Sequence, residues 1–263
     1  MPGAILDDEE ELDVLDCWNE GLDAYDILEI YPELKVKKQV YRILVKYGVK
    51  NGDRFGRLRN HDYFNEMDTK EKAYFLGLLI ADGNVAKGNN RISISLLDED
   101  RDVIEKFKEE IGSTNNLVTH CNNKNPQTKL RFSSGPMRMA LAKYGVVPRK
   151  SKITFFPKLE KFNSHLVRGI FDGDGHYGSS RRWGPNRRIV GFTGSEDLIT
   201  QLRDFLAERI DTQLCKITNS KNCFRIQYTN KYSVLKFIDY IYQDIEPGIF
   251  LERKYEKVKH LIG

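Results

Sequence analysis

A chain of 263 residues, 40% hydrophobic and 30% charged, is long enough to bury one large core or two smaller ones. It has no apolar run near the roughly 20 residues of a membrane span. Its start, MPGAILDDEEELD, lacks the basic and apolar stretches of a secretory signal, so an intracellular protein of cytoplasm or nucleoid, with no membrane partner, is expected. The net charge of +4 conceals an asymmetry: residues 1–20 hold eight acidic residues and no Lys or Arg, which leaves 21–263 at +12. A basic body favours a polyanionic partner, most simply nucleic acid. Cys17, Cys121, Cys215 and Cys223 show no C-x-x-C spacing, read as thiols of a reducing compartment, and give no zinc signature.

In chain order, the acidic segment 1–20 is either a disordered tail or a helix that shields basic surface. In 21–50, Gly21 and a candidate N-cap, Asp23, precede a short helix through Ile27 and Ile30, which the YPEL stretch interrupts. A longer helix follows, with Val36, Val40, Ile43 and Leu44 at apolar spacing, Lys35, Lys37, Lys38 and Arg42 on its other faces, and a stop at Tyr47-Gly48. Short helix, turn and basic second helix resemble a helix-turn-helix DNA-binding module, with a plain helical hairpin packed on the body as the other reading. Residues 51–69 read as a basic linker, with Arg54, Arg57 and Arg59 placed to follow DNA.

From 70 onward the chain repeats itself. YFLGLLIADGNV (74–85) and LVRGIFDGDGHY (166–177) align Gly77 with Gly169, Ala81 with Gly173, Asp82 with Asp174 and Gly83 with Gly175. Each motif heads a unit, 70–148 and 164–263, that reads helix, two strands, helix, two strands, helix. The strands show alternation such as Ile92, Ile94, Leu96 and Phe224, Ile226, Tyr228. The middle helices show apolar spacing such as Val103, Ile104, Phe107, Ile111 and Leu198, Leu202, Leu206, with Asp98 and Ser195 as N-cap candidates. The connector 149–163 contains a proline that discourages continuous helix. Residues four apart share a helix face, so Gly77 with Ala81 and Gly169 with Gly173 form small-residue faces that let two backbones approach. Packing those helices together brings Asp82 beside Asp174. Two adjacent carboxylates repel unless protonated or bridged by a hard cation such as Mg²⁺.

At FLGLLIADG (75–83) and VRGIFDGDG (167–175) the sequence resembles the LAGLIDADG homing endonucleases, over about 70–263. The resemblance implies an α+β fold of two pseudo-twofold αββαββα units, with the motif helices at the central interface and saddle-shaped sheets along the major groove. It implies divalent metals, Mg²⁺ first and Mn²⁺ or Ca²⁺ in the same sites, held by Asp82 and Asp174 with Gly83 and Gly175 as neighbouring backbone. The earlier acidic position of the motif is Asp172 in the second copy and Ile80 in the first. Lys231, just beyond the last strand of its unit, fits the family's lysine near the site, and the matching place in the first unit, near Gly135, has none.

The expected activity is site-specific, metal-dependent double-strand cleavage of DNA by a monomer, with phosphodiester hydrolysis at Asp82, Asp174 and Lys231. Strand and tip residues are the candidate DNA contacts: Lys87, Arg91, Lys129 and Arg131 in the first unit, and Arg181, Arg182, Trp183, Arg187, Arg188, Lys216, Lys221 and Arg225 in the second. Lys150 and Lys152 in the connector are placed to touch phosphate. A catalytically silent DNA-binding transcription regulator, or an RNA-splicing maturase with RNA as partner, stands as the alternative on the same scaffold. An intein is a weaker one, for want of a starting Cys or Ser and a terminal His-Asn.

Overall fold

The computed structural model describes residues 5–19, 22, 24–49, 60–120, 125–180, 184–220 and 223–262. Gly21, Asp23, Arg54, Arg57, Arg59, Cys121, Arg181, Arg182, Trp183 and Lys221 lie outside the described residues, so the expectations placed on them go no further.

Three helices open the chain: α1 (Asp8–Asn19), α2 (Ala24–Ile30) and α3 (Lys37–Lys46). They bury Val14, Trp18, Ile27, Leu34, Val40 and Leu44 in a small core of their own. The acidic segment is therefore a helix over most of its length, and it packs on α3: Lys46 Nζ lies 2.8 Å from Asp8 and 2.5 Å from Glu11.

The body is two copies of one plan. The first runs α4 (Lys70–Asp82), β1 (Gly83–Val85), β2 (Arg91–Leu97), α5 (Arg101–Glu110), β3 (Val118–His120), β4 (Gln127–Ser133) and α6 (Gly135–Lys143). The second runs α7 (Asn163–Asp174), β5 (Gly175–Ser180), β6 (Gly184–Gly194), α8 (Glu196–Arg209), β7 (Thr218–Ser220), β8 (Cys223–Tyr228) and α9 (Lys231–Tyr242), followed by α10 (Glu252–Val258). The sheets are antiparallel, ordered β1-β2-β4-β3 and β5-β6-β8-β7. Strand alternation sorts each sheet into two faces. Ile92, Ile94, Leu96, Leu130 and Phe132 point into the core with Val103, Ile104 and Phe107 of α5. Ser93, Ser95, Lys129 and Arg131 share the outer face, where Ser93 pairs with Arg131 and Ser95 with Lys129.

Ser195 caps α8 as expected, accepting from the Leu198 amide at 3.2 Å. Asp98 does not cap α5. It opens a 3-10 turn at Asp98–Asp100, and its carboxylate instead accepts the hydroxyl protons of Thr128 and Thr119, which the β3–β4 pairing brings to it. Among the described residues no disulfide forms and no helix is long and apolar enough to cross a membrane.

The C-terminal segment ties the units together. Lys70 at the head of α4 pairs with Asp244 at 2.9 Å, and Arg253 of α10 pairs with Asp100 of the first unit at 2.8 Å. Arg168 of α7 is buried, donating to the carbonyls of Ile241 and Asp244 at 2.9 and 2.8 Å.

Candidate active site and nucleic-acid interface

The two motif helices, α4 and α7, form the densest helix pairing of the described residues, and glycine makes it possible. A Cβ on Gly77 would stand 2.2 Å from the Leu166 carbonyl oxygen, and one on Gly169 would stand 2.1 Å from that of Tyr74. One turn on, the missing Cβ of Gly173 leaves room for Ala81 Cβ and for Asp82 Oδ2, which would lie 2.2 and 2.9 Å from it. The backbones touch, and the last residues of both helices, Asp82 and Asp174, come out at one place. Gly83 and Gly175 then start β1 and β5, so each sheet begins at the acidic pair.

Both carboxylates reach solvent, yet the surrounding segments crowd them. Burial is the largest cause that lifts Asp82 to about 6, and the neighbouring charge of Asp174 adds to it, against the opposing pull of Lys150, Lys254 and Arg253. Burial likewise raises Asp174, opposed by Lys150 and Lys254. The two lysines sit in matching places. Lys150 Nζ donates to the carbonyls of Ile80 and Ala81 at 2.6 and 2.7 Å, at the end of α4. Lys254 Nζ donates to those of Phe171 and Gly175 at 2.7 and 2.8 Å, at the end of α7. Each cation thus anchors on the carbonyl end of a motif helix, where the helix dipole favours it. Burial lowers both ammonium groups, Lys254 to about 8, while the acidic neighbours act in the other direction.

Asp172 plays a different part from Asp174. It is buried, accepts from the Tyr74 hydroxyl of α4 at 2.8 Å and from the Leu251 amide at 2.9 Å, and leaves its Oδ1 without a partner. Burial raises it to about 6, against the opposing pull of Lys254, of the Leu251 and Tyr74 hydrogen bonds and of Arg168. Leu251 immediately precedes α10, the helix that carries Lys254.

Among the described residues no cluster of three or more His, Cys, Asp and Glu could hold a metal ion. Two accessible carboxylates with no nitrogen or sulfur donor suit a hard ion that keeps several waters, as Mg²⁺ does. The donor set therefore fits the expected metal, with the Gly175 carbonyl already engaged by Lys254.

Lys231 is not at this place. It opens α9, exposed, beyond the end of β8, and β8 lies two strands from β5. That is roughly 9–10 Å across the sheet before the extra residues are counted. Lys150 and Lys254 stand where Lys231 was expected. Lys150 was assigned only a phosphate contact from sequence, and Lys254 was missed.

The outer sheet faces flank the acidic pair. On the first lie Arg91, Lys129 and Arg131; on the second Arg225, opposite Thr193, and His176, whose Nε2 is 3.0 Å from Gln227 Nε2. His176 directly follows Gly175 and was not singled out from sequence. Lys87, Lys152, Arg188 and Lys216 are exposed, as are Lys38 and Arg42 of α3 and Lys35, which lies in the turn before α3 and not on the helix. Lys37 instead lies 3.7 Å over the Tyr25 ring. Arg187 falls in β6, and its side chain lies outside the described residues.

Residues 69–154 match the family model of the LAGLIDADG-like domain. The chain carries a LAGLIDADG-like domain. Its fold as a whole is that of the LAGLIDADG homing endonucleases: it is similar to the homing endonuclease I-WcaI bound to its DNA recognition sequence, with a TM-score of 0.53 at 14% identity over 81% of this chain and 96% of that one. The LAGLIDADG meganuclease I-AabMI bound to uncleaved DNA is similar at a TM-score of 0.49 and 12% identity, over 72% of this chain and 87% of that one. A curated relative, the DNA-directed RNA polymerase subunit Rpo1C of Methanocaldococcus jannaschii, is 28% identical over 194 residues, 72% of this chain. The chain spans about a fifth of that relative's length, 21%.

Proposed function

We propose that this LAGLIDADG protein is a divalent-metal-dependent endonuclease that cuts both strands of a DNA duplex at the Asp82–Asp174 pair. The observation that carries the reading is the convergence of two accessible carboxylates, on helices that glycine allows to touch, with two lysines anchored at the same helix ends. A structural turn would need neither the paired acids nor the paired lysines.

Asp82 and Asp174 would hold the metal, which supplies a polarised water and charge stabilisation at the phosphate when bound. The chain's own groups do the rest. Lys150 and Lys254 keep their positive ends beside the acids and offset charge that develops on the phosphate oxygens. With its ordinary value lowered to about 8, Lys254 Nζ can also release and recover a proton near neutral pH, its two carbonyl partners holding it in place meanwhile. The pseudo-twofold plan gives one acid and one lysine to each strand. The outer faces of the two sheets, which start at the acids and carry Arg91, Lys129, Arg131 and Arg225, would lie along the duplex, guanidinium groups to bases and phosphates. Both units sit in one chain, so one copy suffices.

The test is a selection from randomised duplexes. Wild-type protein with Mg²⁺ should enrich cut ends of one sequence, and EDTA should abolish them. Cut ends equally recovered with EDTA, or none with Mg²⁺, Mn²⁺ or Ca²⁺ despite tight binding, would contradict the proposal.

A further inference from the structure

The basic outer face of the first sheet is already occupied. Asp26 of α2 makes a close ion pair with Arg131. Glu29, one turn further on, lies 4.0 Å from Arg131 Nη2 and 3.9 Å from His120 Nε2. Tyr25 sets its ring 3.8 Å from the Arg91 guanidinium. These contacts run across β2, β4 and β3. Val118 of β3 packs on the N-terminal core. Ser93, whose side chain shares the outer face, is only 6% exposed, so the face is covered at its centre beside Arg131, while Gln127 and Ser133 at the two ends of β4 stay exposed. Arg91 and Arg131 are two of the four strand residues that the endonuclease reading gives to DNA.

Charge fits the arrangement. Residues 1–49 contain twelve Asp or Glu and five Lys or Arg, so this segment is strongly acidic against a basic body. The acidic edge of α2 meets the sheet, while Lys35, Lys38 and Arg42 stay exposed. Carboxylates are thus set against the guanidinium that the endonuclease reading gives to phosphate, and an aromatic ring lies beside an arginine as a stacked base would. The junction is polar. Among the described residues Val118 is the body's contribution to the N-terminal apolar cluster. Polar junctions of this kind within a chain come apart more readily than apolar ones.

We propose that the N-terminal three-helix module is a displaceable cover that occupies the first sheet's nucleic-acid face and competes with duplex DNA for it. This rests on the endonuclease reading only in taking that face as the DNA site. A binding site available in only a fraction of molecules shows its affinity reduced by that fraction, so loosening the cover tightens binding.

The probe is a fluorescent duplex of arbitrary sequence, titrated into full-length protein at fixed salt. Asp26→Asn combined with Glu29→Gln should bind about tenfold more tightly than wild type. Glu9→Gln combined with Asp16→Asn removes the same charge from exposed positions on α1, and should change affinity by less than about twofold. In wild-type protein, carbodiimide labelling of Asp26, which is 5% exposed, should rise when duplex is added. That second measurement needs no variant to fold. Equal affinities for wild type and both variants, with Asp26 still protected at saturating duplex, would overturn the cover and leave the endonuclease reading standing. A rise of the same size in both variants would reduce the effect to net charge and overturn it too. Absence of duplex binding by every form would overturn both readings together.

Discussion

Replacing Gly169 by alanine perturbs the helix interface that brings the acids together. The new Cβ would fall 2.1 Å from the Tyr74 carbonyl oxygen and 2.8 Å from the Leu78 nitrogen, both backbone atoms of α4. Neither can rotate away, so α7 must retreat by roughly 1 Å to reach ordinary contact, and the packed face opens along its length. Overpacking of this kind costs about 1–3 kcal/mol. Alanine's better helix propensity returns about 1 kcal/mol. The obstacle is rigid on both sides, so the net change is a loss of about 1–2 kcal/mol, which in a chain of this size lowers Tm by roughly 2–8 °C. Gly77→Ala, whose Cβ would meet the Leu166 oxygen at 2.2 Å, acts on the same gap. One separation relieves both clashes, so the double variant should lose less than the sum of the singles. Urea denaturation of the four proteins measures this, with Ca²⁺ titration to report the spacing of the acids. A Gly169→Ala protein as stable as the parent, or more so, would refute the close-approach reasoning.

Four more outcomes follow from the charges. Asp172 is raised to about 6 by burial, so between pH 4 and 6 the native state keeps a proton that the unfolded chain has lost, and stability falls as pH rises through that window and is level above it. The shift is worth at most about 3 kcal/mol; subtracting the profile of Asp172→Asn from wild type should show that slope, and a flat difference would contradict it. With Asp82 lifted to about 6, protons compete with Mg²⁺ or Ca²⁺, so calorimetry should find affinity weakening as pH drops below about 6.5. Lys150 lowers Asp82, so Lys150→Met should move that weakening to higher pH; no movement would separate the two groups. Lys254→Met should slow strand cleavage by about a hundredfold or more while leaving duplex affinity within about threefold.

The duplicated plan was legible because each element is written locally: alternation for the strands, 3.6-residue spacing for the helices, and a small residue every fourth position where α4 meets α7. The acidic pair was legible for the same reason, since each Asp ends a motif helix. The lysines were not. Lys150 and Lys254 belong to segments that follow their units' last helices, and what fixes them is two backbone carbonyls far away in sequence, which leaves no period to read. Lys231, chosen for its place after a strand, is carried away by the sheet order. The docking of α2 was hidden likewise: Asp26 and Glu29 look like ordinary acids of a short helix until β4 supplies Arg131.

The most direct test uses a supercoiled plasmid carrying one copy of a sequence recovered from the selection. Wild-type protein with Mg²⁺ should convert it to linear DNA, and EDTA should prevent this. Asp82→Asn and Asp174→Asn should each stop at nicked circles or leave the plasmid intact, while binding it as wild type does. Linear product from either variant at the wild-type rate would contradict a shared Asp82–Asp174 centre.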